Sequence, residues 1–306
     1  MQTILGANGV IANNLASHLP QYTKKIRLVS RHPRKVNEYD ELFTCDLLDA
    51  KQTSNAIKGS EIVYLTAGIP YRIDKWRTQW PIIMKNVIDG CQEHRSKLVF
   101  FSNVYPYGKV EGWMTEETPI NPCSKKGEVR AKIEEMLWGE VKKGNLEAMI
   151  VRASDFYGPN TPLSYLKVLV FDNFAKGKTA QWVLTDKTKH SYSYTPDAGK
   201  ATAIVGNTPS AYNQTWHAPT DRNTLTGKQF VEMAAEAFGV KPNYRVLGRP
   251  MLKMVGLFMP DVKEMVEMLY QNENDFLFDS SKFEKAFNII PTSYQKGLQE
   301  VANSYR

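Results

Sequence analysis

The stretch Met1-Gln2-Thr3-Ile4-Leu5-Gly6-Ala7-Asn8-Gly9-Val10-Ile11-Ala12-Asn13-Asn14-Leu15-Ala16-Ser17-His18-Leu19 decides the fold. A short apolar strand, Thr3 to Leu5, runs into a glycine-bearing loop and then into a helix with apolar residues at helical spacing. Gly6 can take the tight turn, and Gly9 lets the backbone approach a ligand with no side chain between. Asn8 lies between them, and Val10 and Ile11 open the helix, whose free N–H groups and positive dipole end suit a nucleotide pyrophosphate. Ala12 stands where a third glycine is usual, and one methyl is tolerated there.

Outward from this loop, β-rich runs alternate with helical stretches. Strands are expected at Ile26 to Ser30, Leu42 to Thr44, Ile62 to Thr66, Leu98 to Phe101 and Ala148 to Val151. Helices are expected at Ile11 to Leu19, Ala50 to Lys58, Trp80 to His94 and Lys125 to Val141. Alternation of this kind implies an α/β, doubly wound parallel sheet, and the near-continuous apolar runs KLVFF and EIVYL suit buried parallel strands. Ligands then belong at the carboxyl ends of the strands. After Tyr157-Gly158-Pro159 the pattern loosens, with a helix from Ser164 to Ala175, strands near Gln181 to Leu184 and Gln214 to Ala218, and a helix from Leu225 to Phe238. The expected organisation is a nucleotide-binding domain over 1–160, with a later contribution from about 185–220, and a smaller, mainly helical substrate region over 161–306. The segment MLKMVGLFMPDVKEMVEMLYQ, residues 251–271, holds five of the eleven methionines and reads as an apolar helix pair in a core or interface.

A second nucleotide signal follows the second strand. Where a sheet that prefers NAD places a carboxylate for the ribose hydroxyls, this chain has Ser30. Arg31, with Arg34 and Lys35 behind it, offers planar donors for a 2′-phosphate, so NADP is expected over NAD. Asp46, followed by Leu47, is placed to accept from the adenine amino group. Thr66-Ala67-Gly68 ends the fourth strand with small residues where backbone must pass beside a dinucleotide.

Composition bounds the rest. The chain has 306 residues, 42% of them hydrophobic, enough for a sizeable core and about two domains. No apolar run is long enough to span a membrane, and the loop begins too near Met1 for a cleavable signal, so a cytoplasmic location is expected. Cys45, Cys91 and Cys123 are widely spaced and read as free thiols. The net charge of +7 is scattered among acidic residues, as in VRAKIEEM, which argues for a small anionic ligand or plain solubility over a nucleic-acid groove. The expected partner is a small-molecule substrate, and the expected state a monomer or homodimer.

Taken together the motifs resemble the extended or atypical short-chain dehydrogenases/reductases of the NAD-dependent epimerase/dehydratase type, from Met1 almost to Arg306. MKNVIDGC resembles the family's Asn-Val helix, which brings Asn86 to the cofactor. TEETPINP resembles the acidic lead-in to its catalytic helix, VRASDFYGP its Arg…Tyr-Gly-Pro signature, YTPDAGKA its Asp-Ala motif, and FDSSKFEKAFNIIP its closing segment. The resemblance implies a Rossmann-type domain. It also implies a Ser or Thr past the fifth strand and a Tyr-x-x-x-Lys pair on the next helix, the chemical groups of the family.

Here all three positions have changed. Asn103 falls at the serine, and Lys126 and Arg130 at the tyrosine and lysine. Asn103 can still position a carbonyl or hydroxyl, Arg130 can donate to the nicotinamide ribose but will not release a proton, and Lys126 is left as a proton donor. Two literal Tyr-x-x-x-Lys matches, Tyr71 to Lys75 and Tyr105 to Lys109, lie outside that helix. Tyr71, Tyr105 and Tyr107 sit in loops after the fourth and fifth strands and are candidate acids or substrate contacts. Two functions compete: an NADP-dependent oxidoreductase with a non-standard active site, and a non-catalytic NADP-sensing regulator or scaffold. A nucleotide-sugar epimerase or dehydratase ranks below the oxidoreductase, because those enzymes keep the tyrosine.

Overall fold

The computed structural model describes residues 1–256 and 260–306. They sort into two units: residues 1–106, 125–153 and 198–218 form the first, and 107–124, 154–197 and 219–306 the second. The expected return of about 185–220 to the first domain corresponds to residues 198–218, and the division is further interleaved than expected, because 107–124 belong to the second unit. Trp113–Met114, in the loop expected to belong to the first domain, pairs in parallel with Leu277–Phe278. Residues 215–217 return to pair with 150–152.

The first unit is built on seven strands: β1 (Gln2–Leu5), β2 (Ile26–Ser30), β3 (Glu41–Thr44), β4 (Ile62–Leu65), β5 (Lys97–Asn103), β6 (Ala148–Ala153) and β7 (Thr215–His217). Every pairing is parallel, in the order β7-β6-β5-β4-β1-β2-β3. The order reverses between β1 and β4, the switch point at which open parallel sheets bind ligands. β1, β4 and β6 are buried along their whole length, as strands covered on both faces must be, whereas edge strand β3 is largely exposed.

The connecting helices are α1 (Val10–His18), α2 (Ala50–Ile57), α3 (Ile73–His94), α4 (Lys125–Lys142) and α5 (Thr195–Gly206). Gly199 on α5 lets α1 close in, since a Cβ there would lie 2.4 Å from Asn14 Cβ. On the other face α2, α3 and α4 cover the sheet with a core that includes Trp80, Met84, Val87, Phe100, Ile133 and Leu137. α3 begins seven residues before its expected start at Trp80. Pro81 lies inside it, which costs the bond to the Arg77 carbonyl. Burial of Trp76 and Trp80 favours continuing the helix past it.

The far end of α4 is pinned to α3. Glu140 accepts from Gln92 on α3 at 2.8 Å and from Lys143 and Asn145 at 2.7 and 2.9 Å. These bonds, Asn145's foremost, hold its carboxyl at about 2, below the ordinary value of 4.5. A depressed carboxylate stabilises the fold above its unfolded pKa and stops doing so as pH falls through the folded one. Acid titration followed by circular dichroism should therefore show native protein losing stability between pH 4.5 and 2, and Glu140→Gln should flatten that part of the profile.

The second unit, nearly as long as the first, has an aromatic core in which Tyr157, Phe171, Trp182, Tyr192, Tyr194, Phe230 and Tyr294 pack together. Three short parallel pairs, 155–157 with 192–194, 180–183 with 244–247 and 113–114 with 277–278, frame it. Its helix Gly227–Phe238 starts in a capping box between Thr226 and Gln229 and stops at Gly239, which is left-handed at φ 69°. The expected helix at Ser164 to Ala175 forms with a π turn over Lys167–Phe171. The methionine-rich segment forms helices Arg249–Gly256 and Pro260–Val266, while residues 257–259 lie outside the described residues. Met251 and Met254 are exposed, and Leu252 and Met268 are buried. Among the described residues no helix is long and apolar enough to cross a membrane.

Candidate functional site

The loop after β1 is held by backbone bonds. The N–H groups of Gly6 and Ala7 both donate to the Val29 carbonyl at 2.9 Å, drawing the turn onto β2. Gly6 has φ 105°, and a Cβ on it would meet the Ala67 backbone at 2.4 Å, so only glycine lets the loop pass the end of β4. α1 then starts at N-cap Gly9 with no side-chain cap and no acid in its first turn. The first N–H groups of the helix, Val10 and Ile11 among them, are thus left for a ligand.

Asn8 does different work. It is left-handed at φ 74°, and its side chain donates to His32 O at 2.6 Å and accepts from Arg34 N at 3.0 Å. It ties the glycine loop to the basic loop after β2 through both ends of its amide. Within that loop Ser30 Oγ accepts from His32 N at 3.2 Å. Arg31 and Arg34 are exposed, and among the described residues neither forms an ion pair.

Asp46 is exposed and receives the Leu48 N–H at 3.0 Å. Asn86 is buried on α3 and donates to the Leu47 carbonyl at 2.9 Å, so it holds the loop after β3 in place. Thr66 and Ala67 are half-buried, and a Cβ on Gly68 would meet nothing within 4 Å among the described residues. An uncapped helix start free of carboxylates, unpaired arginines and open space at Gly68 fit a dinucleotide.

A second cluster gathers at the ends of β4 and β5. Asn103 closes β5, and its Oδ1 accepts from the N–H of Tyr105 at 3.1 Å. The phenols of Tyr105 and Tyr71 lie 3.2 Å apart. Trp76, from the first turn of α3, stacks on the Tyr105 ring at 6.2 Å and meets Tyr71 edge-on at 5.6 Å. Lys126 is fully buried near the start of α4, with Nζ 4.5 Å above the Tyr71 ring. Tyr71 precedes the start of α3 at Ile73, and Lys109 lies beyond the single turn Tyr105–Tyr107, so neither Tyr-x-x-x-Lys match is a helical pair. Tyr107 belongs to the second unit and is 2% exposed, a packing position.

Lys126, Arg130 and Glu134 recur every four residues and share one buried face of α4. Arg130 is caged by the rings of Trp80, Trp76 and Phe100, at 4.1, 5.1 and 5.4 Å. Its Nε and Nη1 are buried without hydrogen-bond partners among the described residues. Burial pushes this guanidinium down to about 10, against the pull of Glu134, so it is still a cation at neutral pH. Glu134 and Arg152, 3% and 2% exposed, form a two-pronged pair at 2.9 and 2.8 Å. Ser102 donates to the same carboxylate at 2.6 Å, and Arg152 also donates to the Asn103 carbonyl. The aromatic cage and the Glu134–Arg152 pair were not legible in the sequence. The only trace was the four-residue recurrence of charge at the start of α4.

These features define an α/β parallel-sheet protein whose glycine loop, at the sheet's switch point, fits a dinucleotide. The family model of the NAD dependent epimerase/dehydratase family matches residues 3–215, and the chain belongs to that family. No curated relative matches its sequence. Among solved structures it is similar to UDP-glucuronic acid 4-epimerase from Bacillus cereus in complex with UDP-glucuronic acid and NAD, with TM-score 0.82, 16% identity, and 100% of this chain and 99% of that one covered. UDP-glucose 4-epimerase of Thermus thermophilus, complexed with NAD, gives 0.80 at 16% identity, covering 100% and 99%. The dTDP-glucose 4,6-dehydratase DesIV of Streptomyces venezuelae, with NAD bound, gives 0.78 at 16%, covering 100% and 96%. At such identities the likeness is one of fold.

Proposed function

We propose that the protein is an NADP-dependent oxidoreductase acting on a carbonyl or hydroxyl carbon of a small substrate, with Tyr105 as the proton-transferring group. The observation that carries this reading is the Tyr71–Tyr105 phenol pair, flanked by buried Lys126 at the carboxyl ends of β4 and β5. When bound, the nicotinamide supplies or accepts the hydride. Tyr105 Oη gives or takes the proton of the substrate oxygen. Tyr71 Oη, 3.2 Å away, passes it on, and the Lys126 ammonium favours the phenolate. Asn103 Nδ2, with its Oδ1 engaged by the Tyr105 N–H, is left to donate to the substrate oxygen. Arg130 Nη2 serves as donor to a ribose hydroxyl, and α1 holds the pyrophosphate. Arg31 and Arg34 bind the 2′-phosphate.

Calorimetric titration tests the cofactor, and a panel of carbonyl compounds with NADPH tests the chemistry. Arg31→Ala should weaken NADPH about tenfold or more and leave NADH unchanged, as loss of a charge-assisted bond predicts. Tyr105→Phe should lower kcat by about 10²–10⁴ with NADPH affinity intact, and Tyr71→Phe by less. Tight NADPH binding with no turnover of any carbonyl would replace this reading with the regulator. The solved neighbours, several named for UDP-sugars, favour a second reading in which the substrate is a nucleotide sugar and the hydride returns to it. Product from UDP-glucose with no net cofactor consumption would select that reading.

A further inference from the structure

At one end of the second unit, large apolar side chains stand in solvent. Leu163 is 93% exposed, Met254 59%, Val168 58% and Met251 47%. They border one small cluster, in which Leu252 is buried with Val183 and Leu269, and against which Tyr165, Leu169 and Leu247 pack. Leu163 and Val168 flank Tyr165 and Leu169 in the chain, and Met251 and Met254 share the helix Arg249–Gly256 with Leu252. On that helix Leu252 is turned into the cluster, while Pro250, Met251, Lys253 and Met254 are exposed.

The same end is basic. Between Glu236 and Asp261 the chain carries no acid, and Lys241, Arg245, Arg249 and Lys253 recur at every fourth residue. Arg249 pairs with Glu273. Lys241, Arg245 and Lys253 are exposed and form no ion pair among the described residues. Apolar and cationic side chains therefore share one surface, and the combination selects its occupant. A second copy meeting this face about a two-fold axis would set Arg245 and Lys253 against the same cations. A nucleic acid would answer the charge and leave the methionines and Leu163 in water. An anionic bilayer answers both, since its headgroups take the cations while apolar side chains enter the boundary beneath them.

We propose that this end of the second unit is a peripheral docking surface for an anionic lipid bilayer, with the helix Arg249–Gly256 lying in the headgroup layer. Met251 and Met254 enter the acyl boundary, Leu163 and Val168 extend the apolar contact, and Arg245 and Lys253 meet lipid phosphates. The contact is reversible and concerns the second unit alone, so it stands or falls apart from the cofactor and the chemistry assigned to the first.

The test is co-sedimentation of the full-length protein with vesicles of phosphatidylcholine alone and of phosphatidylcholine mixed with phosphatidylglycerol. Binding is expected to the mixed vesicles and should weaken as salt is added. Lys253→Gln should weaken it about fivefold, the loss of one cation near an anionic surface. Met251→Gln combined with Met254→Gln should weaken it about tenfold or more. Both changes fall at exposed positions, so thermal unfolding should match the wild type and show that the fold is intact. Absence of sedimentation with the mixed vesicles overturns the proposal, and so does equal sedimentation of wild type and both variants. Binding to phosphatidylcholine alone that is just as tight overturns the choice of an anionic surface. A dimer in light scattering that the double methionine variant dissolves would give the face to a second copy and overturn the proposal as well.

Discussion

Replacing Glu134 with alanine should lower the unfolding free energy by about 3–5 kcal/mol, because it strands Arg152 in the interior. The carboxylate is 3% exposed and serves Arg152 twice and Ser102 once. It is also the main favourable charge for Arg130, whose guanidinium is held by rings. With it gone, two buried cations remain near one another and Ser102 loses its acceptor. The double variant Glu134→Leu with Arg152→Met removes both charges at similar volume and should recover most of the loss. Urea unfolding followed by tryptophan fluorescence separates the two cases. A loss under about 1 kcal/mol in Glu134→Ala would mean that water reaches the pair and that it behaves as a surface bridge.

Gly6→Ala should cost about 3 kcal/mol or more and abolish measurable NADPH binding. Two penalties combine. At φ 105° an alanine backbone is strained by about 1–3 kcal/mol. The new methyl would also lie 2.4 Å from Ala67 N and Cα, and backbone cannot step aside as a flexible side chain would, a further 1–3 kcal/mol of overpacking. Gly112 is the control. Its φ is 84°, yet among the described residues a Cβ there meets nothing within 4 Å, so Gly112→Ala should show the strain alone and leave NADPH binding unchanged. Equal behaviour of the two variants would show that the close pass of β4 is not what makes Gly6 necessary.

What could be read from the sequence was local. Strand β2 emerges at its expected bounds, and α4 within one residue, because a short β-rich run such as Ile26 to Ser30 and four-residue recurrences are properties of neighbouring residues. The glycine loop was legible for the same reason, since a strand, a turn and a helix start follow one another directly. The start of α3 was not, because Pro81 punctuates the sequence while the force that carries the helix past it is burial of Trp76 and Trp80 against distant strands. Nor was the Glu134–Arg152 pair, which joins residues 18 positions apart and depends on the register of the strand that carries Arg152. Asn8 and Asn86 were marked as cofactor contacts from their place in motifs. Their amides are engaged with backbone, and they shape the loops a cofactor would meet.

The interleaving of the two units bears on how the protein can be cut. The chain passes from one to the other five times, at 106, 124, 153, 197 and 218, so no single break yields either unit as a continuous fragment. A fragment ending near 160 would lack β7 and leave the edge of β6 open to other chains, an aggregation hazard. Either unit made alone would need its three segments spliced together. A nick in any one connection would leave two halves that must still assemble, so complementation of co-expressed fragments is a more natural experiment for this molecule than truncation.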